Sequence, residues 1–479
     1  MTIFKKAASA FIAAALLFTF CGCGQKKPMS PTKIEIWHYY NGIQQQEFSE
    51  LVTEFNNSVG REKGILVTDI NKGSLSEIRD LVNQSAKKAV GSDPLPAIFS
   101  TYADTAFEFY QQDLLADISS YVSDKDRELY ISEYLEEGEF AGEGSLMLWP
   151  IAKSTEVFML NETDWEPFAK KYNLTTDSLR TYEGITEVAK KYYEYTDSLT
   201  NNLNDGKAFF GRDSLANYMI IGSLQLGSEI FTAENGRAVI NLDKQVMRRL
   251  WDNYYVPYVS GHFTASGRYR SDDAKTGDII ALIGSTSSAA YFPDEVTRSD
   301  GSSYRVSSLV LPAPHFENSE NFAVQQGAGM AIIKSDKETE RAAVEFLKWF
   351  TEPEHNLRFT APTGYLPVRR DSNDLKALQK LLDNETLSLP VTVSQTISAG
   401  METINSNTMY TNGAFQNSYE LRNILERSIQ NAAANDRAAI EASIELGLDR
   451  SEHLASFLSD DRFEMWYDGL LKELNAANK

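Results

Sequence analysis

An α/β fold, built on a parallel sheet with both faces covered by helices, is what the amino-terminal part of the sequence predicts. Three observations lead to it. Strand-like and helix-like patterns alternate from Lys33 to Ser100. The strand-like runs are short and aliphatic, whereas the helical runs carry one apolar stripe. The chain of 479 residues is long enough for two large lobes and contains no internal repeat.

Taken in order, Lys33-Ile-Glu-Ile-Trp-His38 alternates charge and aliphatic and reads as a first strand, broken by Asn41-Gly42. Phe48, Leu51, Val52 and Phe55 then fall on one helical face. Gly64-Ile-Leu-Val-Thr68 is a second strand, Ser76 to Val90 a second helix, and Leu95 to Ser100 a third strand. Ala103 to Gln112 reads as a helix. Ser145 to Ile151 reads as a strand broken by Pro150, and Glu156 to Asn161 as another strand. Trp165 to Leu250 reads as mostly helical, with a polar loop near Asn201 to Lys207. Gly277 to Gly284 is a buried-type strand that runs into Ser285-Thr-Ser-Ser288, and Ser307 to Pro312 is a further strand. After Gly327 to Ile333, Ser335 and Glu338 have the spacing of a capping box. Ala342, Ala343, Phe346, Leu347 and Phe350 form the buried stripe of the helix that follows. The remainder reads as helical, closing with Phe463 to Ala477.

The start of the chain has the order of an export signal. Lys5 and Lys6 precede an uncharged, mostly apolar run from Ala7 to Phe20, too short to span a bilayer comfortably. The only cysteines are Cys21 and Cys23. C-x-C is too tight for the usual C-x-x-C spacing, and the five histidines (His38, His262, His315, His355, His453) are scattered, so no metal site is expected. Phe20-Cys21-Gly22-Cys23 resembles a bacterial lipobox, with Phe20 in place of the usual leucine. That resemblance implies a signal peptide over residues 1–22, with Cys23 the lipid-modified first residue of the mature chain. Residues 23–32 are polar, contain two prolines and read as a tether. The expected location is the extracytoplasmic face of the cell membrane, held by lipid.

The formal net charge of −21 argues against nucleic acid or an anionic lipid surface as partner, since both demand a basic face. No G-x-S-x-G elbow, P-loop, strand-linked G-x-G-x-x-G or H-E-x-x-H occurs, so neither a hydrolase triad nor a bound nucleotide cofactor is expected. A glycosidase carboxylate pair needs only spatial closeness and stays open. The predicted strand ends carry aromatics and hydroxyls: Trp37, Tyr39 and Tyr40 after the first strand, Ser100 and Tyr102 after the third. Ligands of open α/β sheets sit beyond the carboxyl ends of the strands, and aromatic faces suit sugar rings.

The order of these segments resembles the family 1 extracellular solute-binding proteins of bacterial ABC importers, over nearly the whole chain from Lys33. The residues that carry the resemblance are Ile34-Glu-Ile-Trp-His38; Asp93 to Ser100, continuing to Ile118; Leu148 to Asn161; and above all Ala343 to Val368, with Thr363-Gly-Tyr-Leu-Pro-Val368. Ala97 departs from the aspartate usual after that proline. The resemblance implies a periplasmic binding protein-like fold of type II: two α/β lobes, each a mixed sheet flanked by helices, joined by crossover strands. It implies an amino-terminal lobe of residues 33–151 and 315–345 and a carboxy-terminal lobe of 156–311 and 346–479. Crossovers are expected near Ile151 to Glu156, Leu311 to His315 and Glu340 to Phe350.

It also implies a receptor, monomeric and not catalytic, that closes on a small solute and docks on a transmembrane permease. The residues matching the family's ligand-facing positions are Trp37, Tyr39, Tyr40, Ser100, Tyr102, Asp104, Ser154, Thr155, Ser285, Ser287, Gly327 and Tyr365, with Tyr291 and Gly329 beside them. Each has a plainer reading as core, cap or hinge. A phosphate-bearing ligand would want cations; Lys153, Arg268, Arg270, Arg369 and Arg370 are the candidates, but none stands among the aromatics. A neutral carbohydrate is therefore expected. A glycan-acting surface lipoprotein enzyme and a solute sensor without transport are the alternatives.

Overall fold

The computed structural model describes residues 30–479 apart from 235, 374–375, 377–388, 412 and 447. The signal peptide, Cys21 and Cys23 lie outside the described residues. Thr32, expected at the end of the tether, already belongs to the first strand and donates its N–H to Gly64 O. Among the described residues no helix is long and apolar enough to cross a membrane.

The first lobe is organised around β1 (Thr32–His38), β2 (Ile65–Asn71) and β3 (Ile98–Thr101), with α1 (Gly42–Asn57), α2 (Leu75–Ala86) and α3 (Ala103–Gln111) between and after them. β1 lies between β2 and β3, parallel to both; Ile34 sits opposite Val67 and Trp37 opposite Phe99. Because side chains alternate along a strand, Ile34 and Ile36 enter the core with Phe48, Leu51 and Phe55 of α1. Trp37 enters the opposite core with Ile78 and Val82 of α2 and Phe109 of α3.

The second lobe holds β4 (Glu156–Asn161), β5 (Phe210–Arg212), α4 (Leu215–Gln225), α5 (Lys244–Val259), β6 (Ala281–Ser285) and β7 (Ser308–Pro312). Its sheet runs β7-β4-β6-β5, antiparallel except for the β5–β6 pair. The region expected to be mostly helical, Trp165 to Leu250, also contains β5, an edge strand too short for a periodicity signal. Ser145 to Ile151 forms no strand; only Trp149 pairs, exchanging two backbone bonds of 2.9 Å with Met330.

The chain then makes β8 (Phe322–Val324), β9 (Gly329–Ile332), α6 (Lys337–Phe350), α7 (Pro353–Thr363), α8 (Val391–Ser406), β10 (Thr408–Tyr410), α9 (Ser418–Glu445) and α10 (Asp460–Ala477). β9 adds to the first sheet, antiparallel to β3. The N-cap of α6 is Asp336, which accepts from the N–H of Glu338 and Thr339; Ser335 instead donates its backbone N–H to Glu340, so the cap lies one residue later than expected and the expected capping box does not form.

The lobe boundaries differ from those the sequence suggested. Phe346, Trp349, Phe350, Phe359, Tyr365 and Val368 pack in one core with Ile34 and Phe55, so a boundary at residue 346 would cut α6 in half. Phe316 lies in the second lobe's core beside Tyr182 and Tyr218, and His315 pairs with the backbone of Arg180 and Tyr182. The second crossing therefore comes after Val324, not at Leu311 to His315. Nor does the chain cross along α6, whose Ala343, Phe346, Leu347 and Phe350 all lie in the first lobe's core. At the crossings Ser154 and Gln326 exchange backbone bonds of 2.9 and 2.8 Å, and Lys153 and Leu366 exchange bonds of 3.0 and 2.6 Å. Gly327 adopts φ +91°, and a Cβ there would lie 2.6 Å from Ala152 O; the crossing strands approach that closely only because the residue is glycine.

Candidate interlobe ligand site

A cleft runs between the lobes at the strand ends that the sequence singled out. On the first lobe, Tyr39, Asn41, Gln44 and Tyr365 line it. Facing them from the second lobe are Met159, Asp213, Tyr269, Ser287, Tyr291 and Phe292. Close by, with Tyr102 near enough to act on the phenols of Tyr39 and Tyr365, a second, much smaller cavity is lined by Tyr102, Asp104, Asn217, Arg422 and, from the second crossing, Gln325 and Gln326. β1 delivers Tyr39, β3 delivers Tyr102, and β6 delivers the short turn Thr286–Tyr291, so three carboxyl ends of strands meet there.

Tyr39 and Tyr365 share a hydrogen bond of 2.8 Å. Burial pushes both phenols well above their usual range, and neighbouring phenols add to it: Tyr365 and Tyr102 for Tyr39, Tyr40 for Tyr365. These tyrosines are therefore neutral hydrogen-bonding groups with apolar faces. Burial also raises the carboxyl of Asp104, and the charge of Arg422 opposes the rise. Arg422 donates to Asn217 Oδ1 at 2.7 Å, while its Nε and the Oε1 atoms of Gln325 and Gln326 are buried without a hydrogen-bond partner in the protein. A native chain seldom buries such groups unanswered, so water or a polar ligand would complete their bonding there.

Of the sequence-predicted residues, the structure brings Tyr39, Ser287 and Tyr365 to the cleft, with Tyr291 at its rim, and Tyr102 and Asp104 to the smaller cavity. It does not bring the others. Trp37 is wholly buried in the core, bonding Glu35 at 2.7 Å. Tyr40 is core, packed on Phe48 and Phe359. Ser100 is core, its hydroxyl against Met330 Sδ at 3.4 Å. Ser154 and Thr155 serve the crossing: Ser154 through its backbone, Thr155 by donating Oγ1–H to Val324 O at 2.8 Å. Ser285 caps the turn after β6 by accepting from Ser287 N. The carbonyl of Gly327 accepts from Lys153 Nζ at 3.0 Å, and Gly329 starts β9.

Three of the candidate cations are committed to carboxylates. Lys153 pairs with Glu137 and Arg270 with Asp273, both buried, and Arg369 pairs with Asp371. Arg268 stacks on Tyr269, and Arg370 donates to Ser132. Another buried pair, Glu156 with Arg212, holds the loop after β5 that carries Asp213. Among the described residues no group of three His, Cys, Asp or Glu could hold a metal ion.

Sequence reading missed Asn41, Gln44, Asp213, Asn217, Gln325, Gln326 and Arg422. The two glutamines adjoin Gly327, a signal that was available. Arg422 sits on α9, far along the chain, and nothing local marks it.

Residues 53–386 match the family described as bacterial extracellular solute-binding protein. The sn-glycerol-3-phosphate-binding periplasmic protein UgpB of Yersinia enterocolitica is 22% identical over 376 residues, covering 74% of this chain and 78% of its own. Among solved structures, an ABC substrate-binding protein from Listeria monocytogenes in complex with cycloalternan aligns with a TM-score of 0.66 at 16% identity, over 93% of this chain and 99% of its own. A cyclic alpha-maltosyl-1,6-maltose binding protein from Arthrobacter globiformis aligns at 0.63 and 15%, over 92% of this chain and all of its own. UgpB from Mycobacterium tuberculosis in complex with glycerophosphocholine aligns at 0.61 and 18%, with the same coverage. At these identities the structures bear on the two-lobed fold alone.

Proposed function

The chain belongs to the bacterial extracellular solute-binding proteins, and on that premise we propose that it captures a neutral carbohydrate in the interlobe cleft and hands it to the transmembrane subunits of an ABC importer. The observation that carries the carbohydrate reading is the wall of Tyr39, Tyr102 and Tyr365 facing amides and hydroxyls, with the surrounding cations mostly held by carboxylates. Phenol faces cover the apolar C–H faces of a sugar, and unanswered amide and guanidinium groups bond its hydroxyls. Tyr39, Tyr102, Asp104, Asn217, Ser287, Gln326, Tyr365 and Arg422 are the proposed contacts. No chemistry on the solute is required, in keeping with relatives that are binding proteins.

The protein works as a monomer on the extracytoplasmic face, tethered through lipid on Cys23. A Cys23→Ser variant is expected to leave the membrane and fold normally.

Arg422 favours a second reading. Its unpartnered Nε–H would suit a phosphodiester such as the glycerophosphocholine held by one structural relative. Against it stand the carboxylates of Asp104 and Glu137 in the same pocket. Titration calorimetry with maltose, longer glucans and glycerophosphocholine decides between them. Saturable binding of a sugar, with the sugar recovered unchanged, supports the first reading. Binding of the phosphodiester alone replaces it with the second, and release of a hydrolysis product overturns the receptor reading.

A further inference from the structure

Asn41 and Gln44 stand three residues apart at the start of α1, the spacing at which a capping box forms. Neither caps the helix. Asn41 occupies the N-cap with extended backbone, yet its side chain makes no bond to the first turn. Its Oδ1 accepts from Tyr291 Oη at 2.9 Å, across the cleft. Gln44 is buried, and its Nε2 donates to Ser287 O of the same second-lobe turn at 3.3 Å. Gly42 lies between them with φ +53°, and a Cβ there would come within 3.5 Å of Tyr291 Oη. Glycine thus supplies the left-handed turn, and Tyr291 Oη stands at ordinary contact distance from that position.

We propose that Asn41 and Gln44 alternate between two partners: a latch to Ser287 and Tyr291 when the lobes meet, and a cap on their own helix when the lobes part. The reading rests on the cleft being the solute site. The two arrangements offer these side chains similar bonding, so the seam costs little to break. A cap and a hydrogen bond are of similar worth, so bound solute tips the balance. Asn41, Gln44 and Tyr291 are then positioning residues that set affinity through the closed population.

The single variants separate the two halves of the idea. Tyr291→Phe removes the Asn41 bond of the latch and leaves the cap, so Kd for maltose and for glycerophosphocholine, whichever bind, should rise by the same factor, about five-fold. Small-angle scattering of the same variant should give a larger radius of gyration than the wild type. Asn41→Ala loses a partner in both arrangements, so its Kd should change by less than about two-fold while thermal stability falls. An unchanged Kd and radius in Tyr291→Phe overturns the latch. A reordering of ligand preference overturns it too, since Tyr291 would then touch the solute. An Asn41→Ala loss as large as that of Tyr291→Phe overturns the cap. If neither probe binds, the functional reading fails and the scattering result alone decides the latch.

Discussion

The hydroxyls of Tyr39 and Tyr365 lie 2.8 Å apart although 326 residues separate them in the chain. One follows the first strand and the other follows α7, and both reach the cleft because the amino-terminal core takes in residues on either side of the second lobe. Tyr365→Phe removes this bond and one hydroxyl of the wall. Solute affinity is expected to fall by about 1 kcal/mol, with thermal stability changed by no more than that. Calorimetry and thermal melts of the same preparation test it; an unchanged Kd would place the solute away from this pair.

Tyr39, Tyr40 and Tyr102 have phenols raised from the ordinary value of 10.0, chiefly by burial. The unfolded chain loses these protons first. The stability they contribute is therefore complete below pH 10 and is lost as the pH climbs toward their folded values. The melting temperature should be nearly flat from pH 8 to 9.5 and drop steeply above pH 10. Phenolate absorbance should show these residues ionising only on unfolding.

Asp104 is the opposite of a stabilising carboxylate. Burial raises it from an ordinary 3.8, so its contribution to stability is present below that value and is lost as the pH rises through its folded pKa. Asp104→Asn should unfold at higher temperature at pH 7, by on the order of 1 kcal/mol, and bind solute more weakly. At pH 3.5 the stability difference should vanish. A destabilised Asn variant at neutral pH would contradict this account.

Lys153 and Glu137 form a buried pair whose lysine also donates to Gly327 O. Lys153→Met leaves a buried carboxylate uncompensated and should cost about 3–5 kcal/mol in a denaturant titration. The Lys153→Met, Glu137→Leu double variant should recover much of that loss, because the penalty belongs to the orphaned charge.

At Gly327 an alanine Cβ would need to sit 2.6 Å from Ala152 O on a backbone with φ +91°. Gly327→Ala should cost about 1–3 kcal/mol and weaken solute binding through the crossing strands. Equal stability and affinity in the variant would show that the crossing tolerates a wider spacing.

Local pattern was enough to read β1, α1, β2, α2 and β3, because alternation and the three-to-four spacing of Phe48, Leu51, Val52 and Phe55 each report one element without reference to the rest. β5 escaped because three residues carry no period. Trp37 and Tyr39 were indistinguishable as sequence: both are aromatics at one strand end, yet their side chains point to opposite fates. Trp37 is wholly buried on a face covered by α2 and α3, while Tyr39, just past β1, packs only in part against that core and also lines the cleft.

Sequence by itself determined the alternation of strands and helices, the family to which the chain belongs, and the aromatic and hydroxyl character of the strand ends. These are local properties, written in runs of a few residues. Only the tertiary structure decided that Tyr39 and Tyr365 line one cavity between the lobes and Tyr102 and Arg422 a smaller one near it, that Tyr40 and Ser100 enter neither, and that Ser154 and Gln326 pair where the chain crosses between lobes. The reason is that a cleft is bounded by packing between segments hundreds of residues apart. Which side chain faces it depends on what covers the neighbouring faces of each sheet, and no single stretch of sequence carries that information.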